Sequence, residues 1–173
     1  MSIKKLFNGD NVDRKNFYKD TFSGYDVIVE LGVGFGETSA IFIECANKKV
    51  IGIDIRKFFN TDVLTDFAKT KNIEYSFILS DTLKVSPPAC DVLFIDSKHT
   101  EHQVYNELKI YSPFVSTYIA LHDINPDTFD GNVLRATNKW LEEGENKNWE
   151  EYYRDYNQCG LLVLKRKIAN GSN

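Results

Sequence analysis

Three glycines at alternate positions are the first feature of this sequence that could do chemistry. Gly32, Gly34 and Gly36 follow Glu30 and stand between an apolar run and a stretch with helical spacing. A glycine-rich turn before a helix lets a ligand approach the backbone closely, and unpaired helix N–H groups there can donate hydrogen bonds. The spacing therefore predicts a nucleotide-like ligand at this turn.

The residues around the glycines argue against phosphates on that ligand. Glu37 stands where a dinucleotide-binding fingerprint requires glycine or alanine, and its carboxylate would repel a pyrophosphate. A phosphate-binding P-loop is also excluded, because no Gly-Lys-Ser/Thr follows the glycines. We expect a nucleoside without phosphates; the alternative is that the glycines serve only the turn.

A second group of candidate residues consists of carboxylates and imidazoles. Asp96 follows one apolar run, and His122 and Asp123 follow another. Because the carboxyl ends of parallel strands form a common crevice, these side chains should converge. Two carboxylates close together would repel, so a hard divalent cation such as Mg²⁺ or Mn²⁺ is their natural partner. The pattern predicts a metal site at Asp96, His122 and Asp123, with Asn125 as a further oxygen ligand.

Short apolar runs alternate with longer amphipathic segments, and this alternation must position those residues. It predicts an α/β fold: a Rossmann-like, doubly wound, mostly parallel seven-stranded sheet with a C-terminal antiparallel hairpin. The strands are predicted at 25–31, 49–54, 73–79, 91–95, 118–121, 151–156 and 160–165. The helices are predicted at 37–47, 61–71, 100–109 and 132–143.

Length and composition limit the number of domains, the kinds of partner and the location of the protein. The 173 residues predict one domain, with residues 1–24 as a short N-terminal extension and residues 169–173 as a frayed tail. A net charge of −4 disfavours nucleic acid and anionic membranes as partners, since both select for excess cations. The apolar runs are too short to span a membrane, and the first residues lack a secretory signal, so a cytoplasmic location is expected.

The glycine segment resembles motif I of class I S-adenosylmethionine (SAM)-dependent methyltransferases, acidic-x-Gly-x-Gly-x-Gly, through Glu30, Gly32, Gly34 and Gly36. SAM carries an adenosine and a sulfonium but no phosphate, which agrees with the chemistry of the turn. The resemblance implies that Asp54, at the end of the second strand, accepts hydrogen bonds from the ribose hydroxyls. It also implies that Ser80 and Asp81, after the third strand, contact the adenine. Both aspartates could instead be capping residues.

The segments 91–100 and 119–123 resemble the metal-dependent O-methyltransferase branch that includes the cephalosporin-hydroxylase-like and sugar O-methyltransferase families. Members have an acidic pair after the fifth strand, whereas His122 replaces the first acid here. The resemblance implies that a metal binds the acceptor hydroxyl and that His99 removes its proton, with Lys98 as the second candidate. Alternatively, Asp96 holds the methionine end of SAM. His99 and His102 could share a helix face, but they lack a third ligand for zinc.

The acceptor is less defined by the sequence. A base-methylating enzyme usually has an Asn/Asp-Pro-Pro-aromatic tetrad after the fourth strand, and residues 96–99 lack it. The segment before the first strand is short for a lid, so we expect either a second subunit over the site or a large acceptor such as a glycan. The predicted function is metal-assisted O-methylation of a sugar or another small-molecule acceptor. The alternative is a non-catalytic module that binds a nucleoside or a partner.

Overall fold

A computed structural model describes residues 12–168, and these residues form seven strands and six α-helices. The strands are β1 (Val27–Leu31), β2 (Lys49–Asp54), β3 (Glu74–Leu79), β4 (Cys90–Ile95), β5 (Val115–His122), β6 (Trp149–Asp155) and β7 (Leu161–Arg166). The helices are α1 (Val12–Phe22), α2 (Glu37–Cys45), α3 (Asp62–Thr70), α4 (Glu101–Tyr111), α5 (Pro126–Phe129) and α6 (Asn132–Glu142).

All seven strands form one sheet in the order β3-β2-β1-β4-β5-β7-β6. Strands β1 to β5 are parallel, and β7 is antiparallel both to β5 and to β6. The strand order reverses between β1 and β4, which is the position where doubly wound sheets open a ligand crevice. The predicted fold class, including the antiparallel C-terminal hairpin, is confirmed.

Helices cover both faces of the sheet, because alternate residues of the central strands point to opposite faces and both sets are apolar. In β1, Ile28 packs into the core beneath α1, α2 and α3, whereas Val29 faces the core beneath α4 and α6. The central strands are buried on both sides, so they read as continuous apolar runs. This double burial holds the carboxyl ends of β1, β2, β4 and β5 at one edge of the sheet.

The segment before β1 contains a helix that the sequence analysis did not predict. Helix α1 packs on α2 through aromatic contacts, with the Tyr18 ring 5.7 Å from that of Phe42, and Tyr18 and Phe22 are buried. Its apolar residues do not follow a regular helical stripe, so the pattern gave no signal. The predicted frayed tail, residues 169–173, lies outside the described residues.

Candidate active site

The glycine loop joins β1 to α2 and is anchored by Asp54 at the end of β2. Asp54 Oδ2 accepts the backbone N–H groups of Val33 (2.9 Å) and Gly34 (3.0 Å), and its Oδ1 accepts that of Arg56 (2.9 Å). Gly32 continues the pairing by donating its N–H to Ile53 O at 2.8 Å. The glycine loop and Asp54 are therefore in direct contact.

Each glycine of the loop has positive φ, but their surroundings differ. A Cβ on Gly32 would lie 2.1 Å from the carbonyl oxygen of Asp96, and one on Gly36 would lie 2.6 Å from the ring of Phe59. Packing alone therefore requires these two glycines. Around Gly34, with φ of +54°, no described atom beyond the glycine and its two chain neighbours lies within 4 Å of the Cβ position. This open space is what close approach of a ligand to the backbone requires.

A crevice of about 450 Å³ opens beside the loop at the switch point of the sheet. Its lining combines two exposed apolar side chains, Ile55 and Phe58, with several polar groups. Its lining comprises Gly32, Gly34, Asp54, Ile55, Phe58, Asp81, Thr82, Asp96, Ser97, Lys98 and Gln103. An apolar flank with a few polar groups suits a nucleoside, whose base is flat and whose ribose needs hydrogen bonds.

Glu30 lies on the other side of the glycine loop from Asp54. The Glu30 side chain is buried, and Ser39 Oγ donates a hydrogen bond to its Oε2. It lines a smaller cavity of about 170 Å³ that shares Gly32, Gly34 and Asp96 with the main crevice. Glu30 and Asp54 thus flank the same backbone turn.

The two residues predicted to contact adenine have different environments. Asp81 lines the crevice, and its Oδ1 also accepts the N–H of Leu83 at 3.0 Å, which caps a short 3₁₀ turn. The hydroxyl of Ser80 donates to the backbone carbonyl of Asp81 at 3.3 Å. Thr82, Ser97 and Gln103 are further polar residues of the crevice lining, and none of them was predicted from the sequence.

The carboxylates and imidazoles meet where β4 and β5 end. His99 Nε2 lies 2.8 Å from Asp123 Oδ2 and 3.2 Å from Asp96 Oδ1. His122 Nδ1 lies 2.9 Å from Asp123 Oδ1 and 3.4 Å from Asp96 Oδ1. The structure therefore brings together all four residues, although His99 and Asp123 are far apart in sequence.

These ion pairs shift the pKa values of the groups. Burial alone would lower the pKa of His99, but hydrogen bonds and charge from Asp123 and Asp96 outweigh it and raise that pKa to about 9. Burial would raise the pKa of Asp123, yet the two imidazoles hold it well below its usual range. In the metal-free protein, His99 therefore carries a proton at neutral pH.

Arg14 of α1 reaches this centre and was not predicted. Its Nη1 lies 2.6 Å from His122 Nε2, and its Nη2 donates to Asn157 O at 3.0 Å. Burial lowers the pKa of His122, but hydrogen bonds and charge from Asp123 and Asp96 outweigh it and raise that pKa to about 9. The Arg14 guanidinium can only donate hydrogen bonds, so its contact with Nε2 requires a lone pair on that nitrogen. We therefore assign His122 as a neutral ring with its proton on Nδ1, which faces Asp96 and Asp123.

Three groups here could hold a cation. Asp96, His99 and Asp123 each offer a ligand atom, and these atoms lie within 4.8 Å of one another. The buried Asp123 Oδ1 faces His122 Nδ1 at 2.9 Å, but this contact lacks hydrogen-bond geometry. Buried polar atoms are normally satisfied, so this carboxylate oxygen suits a cation as a further partner. The two carboxylates suit Mg²⁺ or Mn²⁺, and the imidazole nitrogen favours Mn²⁺ of the two.

The remaining candidates lie nearby. Lys98 is exposed and lines the crevice. His102 is exposed on the first turn of α4 and borders a separate surface cavity. Asn125, proposed as an extra ligand, accepts the N–H of Asp127 (2.9 Å) and donates to Gln158 O (2.8 Å), so its amide fixes the loop before α5.

Comparison with known proteins identifies the class and then the family. The model of the rhamnosyl O-methyltransferase/CmcI family matches residues 24–158, most of the chain. The search of curated proteins finds no match to this chain. The fold and the motif I site define a class I SAM-dependent methyltransferase. The chain belongs to the rhamnosyl O-methyltransferase/CmcI family, as the sequence resemblance implied.

Solved structures share this fold at low sequence identity. An O-methyltransferase from Bacillus cereus in complex with SAH has a TM-score of 0.65 at 13% identity, covering 95% of this chain and 86% of that chain. MycE from the mycinamycin biosynthetic pathway, in complex with Mg and SAH, has a TM-score of 0.64 at 13% identity, covering 93% and 50%. The N-methyltransferase NodS from Bradyrhizobium japonicum has a TM-score of 0.62 at 12% identity, covering 90% and 94%. Between residues 12 and 168, no helix is long and apolar enough to cross a membrane.

Proposed function

We propose that this methyltransferase transfers the methyl group of SAM to a hydroxyl of a sugar or a related small-molecule or glycan acceptor, with a divalent cation assisting. The observation that carries the proposal is the convergence of Asp96, His99 and Asp123 within 4.8 Å, with Asp96 also lining the crevice. Family membership supports O-methylation, and the family description names a rhamnosyl acceptor.

Binding of SAM is assigned to the residues around the glycine loop. Asp54 is proposed to accept the ribose hydroxyls, with Gly34 giving the backbone access and Ile55 and Phe58 covering the base. Glu30 supports the loop from the other side through Ser39. When bound, SAM supplies an activated methyl group, so the protein needs mainly to align the acceptor oxygen.

We assign the cation to Asp96, Asp123 and His99. When bound, the cation supplies Lewis-acid stabilisation of an acceptor oxygen. His122, predicted as a ligand from the sequence, is proposed instead to turn its Nδ1–H toward the two carboxylates, because Arg14 occupies its Nε2. The N–H dipole of the neutral His122 ring thereby orients the carboxylates.

His99 and Lys98 are the proposed proton acceptors. His99 Nε2 is the nitrogen shared with both carboxylates, so it takes the acceptor proton only when it holds neither a proton nor a metal. Lys98 lies at the crevice beside Asp96 and takes that role when His99 is a ligand. Separate substitutions of the two residues distinguish these roles through the pH profile of the reaction.

A second cavity of about 470 Å³ is the proposed acceptor site. It is lined by Arg14, which contacts His122, and by polar residues of the β6–β7 loop such as Asn157. Phe17 and Tyr153 also line this cavity, and their stacked rings have centroids 4.2 Å apart. Aromatic faces beside amide and charged groups suit the apolar face and the hydroxyls of a sugar ring. A second subunit over this region stays a prediction, which light scattering can test.

The test is transfer of labelled methyl from SAM to a synthetic rhamnoside in the presence of Mn²⁺ or EDTA. We expect methyl ether formation that requires the metal and falls strongly in Asp96→Asn and Asp123→Asn. Metal-independent transfer would contradict the cation's role. SAH binding without transfer to any hydroxyl acceptor would favour the non-catalytic alternative.

A further inference from the structure

A buried carboxylate outside the ion-pair centre supports the base end of the crevice. Glu107 lies in the middle of α4 and is 0% exposed. Its Oε1 accepts from Thr82 Oγ1 at 2.5 Å, from Ser97 Oγ at 2.7 Å and from Gln103 Nε2 at 2.9 Å. Burying a carboxylate is costly unless donors satisfy it, so a fully buried one with three donors is an organised feature.

The three donors come from three separate segments that all line the crevice. Thr82 begins the 3₁₀ turn after β3, Ser97 follows β4, and Gln103 is in the first turn of α4. Tyr111 adds a further tie by donating its hydroxyl to Thr82 O at 2.7 Å. Glu107 therefore fixes three polar residues of the crevice lining without lining the crevice itself.

This network sets the orientation of the Gln103 amide. Gln103 Nε2 donates one N–H to Glu107 Oε1 at 2.9 Å and the other to Thr82 Oγ1 at 2.8 Å. A flipped amide would set its oxygen against the carboxylate oxygen, which has no proton to offer when ionised. The amide nitrogen is thus fully used, and the carbonyl Oε1 is the group that Gln103 can present to the crevice.

We propose that Gln103, oriented by Glu107, selects the purine of the cofactor by accepting a hydrogen bond from the exocyclic amine of adenine. The proposal rests on the assignment of SAM to this crevice. A purine with a carbonyl at that position would place oxygen against oxygen and leave both groups unsatisfied. Sites that hydrogen-bond a ligand in this way reject an unmatched analogue more strongly than apolar sites do.

The experiment compares S-adenosylhomocysteine with S-inosylhomocysteine, which carries a carbonyl in place of the exocyclic amine, by calorimetric titration. The wild-type protein should bind the adenosyl ligand roughly 10- to 100-fold more tightly. The adenosyl amine forms a hydrogen bond with Gln103 Oε1, whereas the inosyl carbonyl oxygen would repel it. In Gln103→Leu this preference should fall roughly tenfold through weaker adenosyl binding. Glu107→Gln, which frees the amide to flip, should lose part of the preference.

Asn106→Leu is the matched control, because Asn106 lies on the same helix and borders a different cavity. It should keep the wild-type ratio. An unchanged ratio in Gln103→Leu, or equal weakening of both ligands, would overturn the proposal. So would a collapse of the ratio in Asp81→Asn alone, which would assign base selection to Asp81. A folded wild-type protein that binds neither ligand would instead refute the cofactor assignment itself.

Discussion

Asp54 and Val33 are joined by a hydrogen bond of 2.9 Å, from the backbone N–H of Val33 to Oδ2 of Asp54, which ties the end of β2 to the glycine loop. The same carboxylate also accepts the N–H groups of Gly34 and Arg56. Three backbone donors converge on one side chain, so Asp54 shapes the loop as well as facing the crevice.

Asp54→Asn should weaken SAH binding. An amide has one acceptor oxygen, so its NH₂ would face either the N–H of Arg56 or those of Val33 and Gly34. Hydrogen bonds to charged groups contribute about 1.5–3 kcal/mol, so we expect a loss of roughly 10- to 100-fold in calorimetric SAH affinity. Asp66→Asn, at an exposed site on α3, is the control. Wild-type affinity in Asp54→Asn would contradict this role.

Gly34→Ala and Gly24→Ala form a matched pair. Both glycines have positive φ, +54° and +89°, and beyond their chain neighbours no described atom lies within 4 Å of either Cβ position. Each alanine should therefore cost about 1–2 kcal/mol of stability through backbone strain alone. Only Gly34 lines the crevice, so only Gly34→Ala should also weaken SAH binding. Equal SAH affinities in the two variants would show that the ligand does not approach Gly34.

The sequence predicts the parts of the site that depend on local pattern. The glycine spacing, Asp54 at a strand end, and Asp96 and Asp123 after β4 and β5 follow from the alternation of strands and helices. The fold then places all of them at one edge of the sheet.

Contacts between distant segments leave no such pattern. Arg14 meets His122 across 108 positions of sequence, and Thr82 meets Glu107 across 25. A glutamate inside an amphipathic helix reads as a solvated residue, and only packing shows that Glu107 is buried. The role of His99 also changes for this reason: its sequence position indicates a base, whereas its contacts with Asp96 and Asp123 make it a candidate ligand as well.

The stability of the metal-free protein should fall as pH rises from about 6.5 to about 9. His99 has an ordinary pKa of 6.5, and its carboxylate partners raise it to about 9 in the folded state. Between these values the folded protein binds more protons than the unfolded chain, so the stabilisation is complete below pH 6.5 and is lost on approaching pH 9. Thermal unfolding in EDTA should show a smaller decline for His99→Gln. The exposed His102→Gln should follow the wild type; identical profiles for both variants would contradict the raised pKa.

Asp123→Asn should abolish tight Mn²⁺ binding while preserving the fold. Asp123 has a φ of +59°, a conformation that asparagine also adopts readily, so the backbone should tolerate the change. Loss of a residue that only supports a metal ligand typically lowers metal affinity by roughly 10- to 100-fold. Loss of the Asp123 carboxylate, a proposed ligand, should lower it by at least that much. Asp130→Asn is a matched control, since Asp130 is exposed and has a φ of +55°.

The measurement is the electron paramagnetic resonance signal of free Mn²⁺ during titration, near pH 8. Because a cation must displace the His99 proton, wild-type affinity should also rise with pH. Equal affinity in Asp123→Asn and Asp130→Asn would place the cation elsewhere or exclude it from this centre.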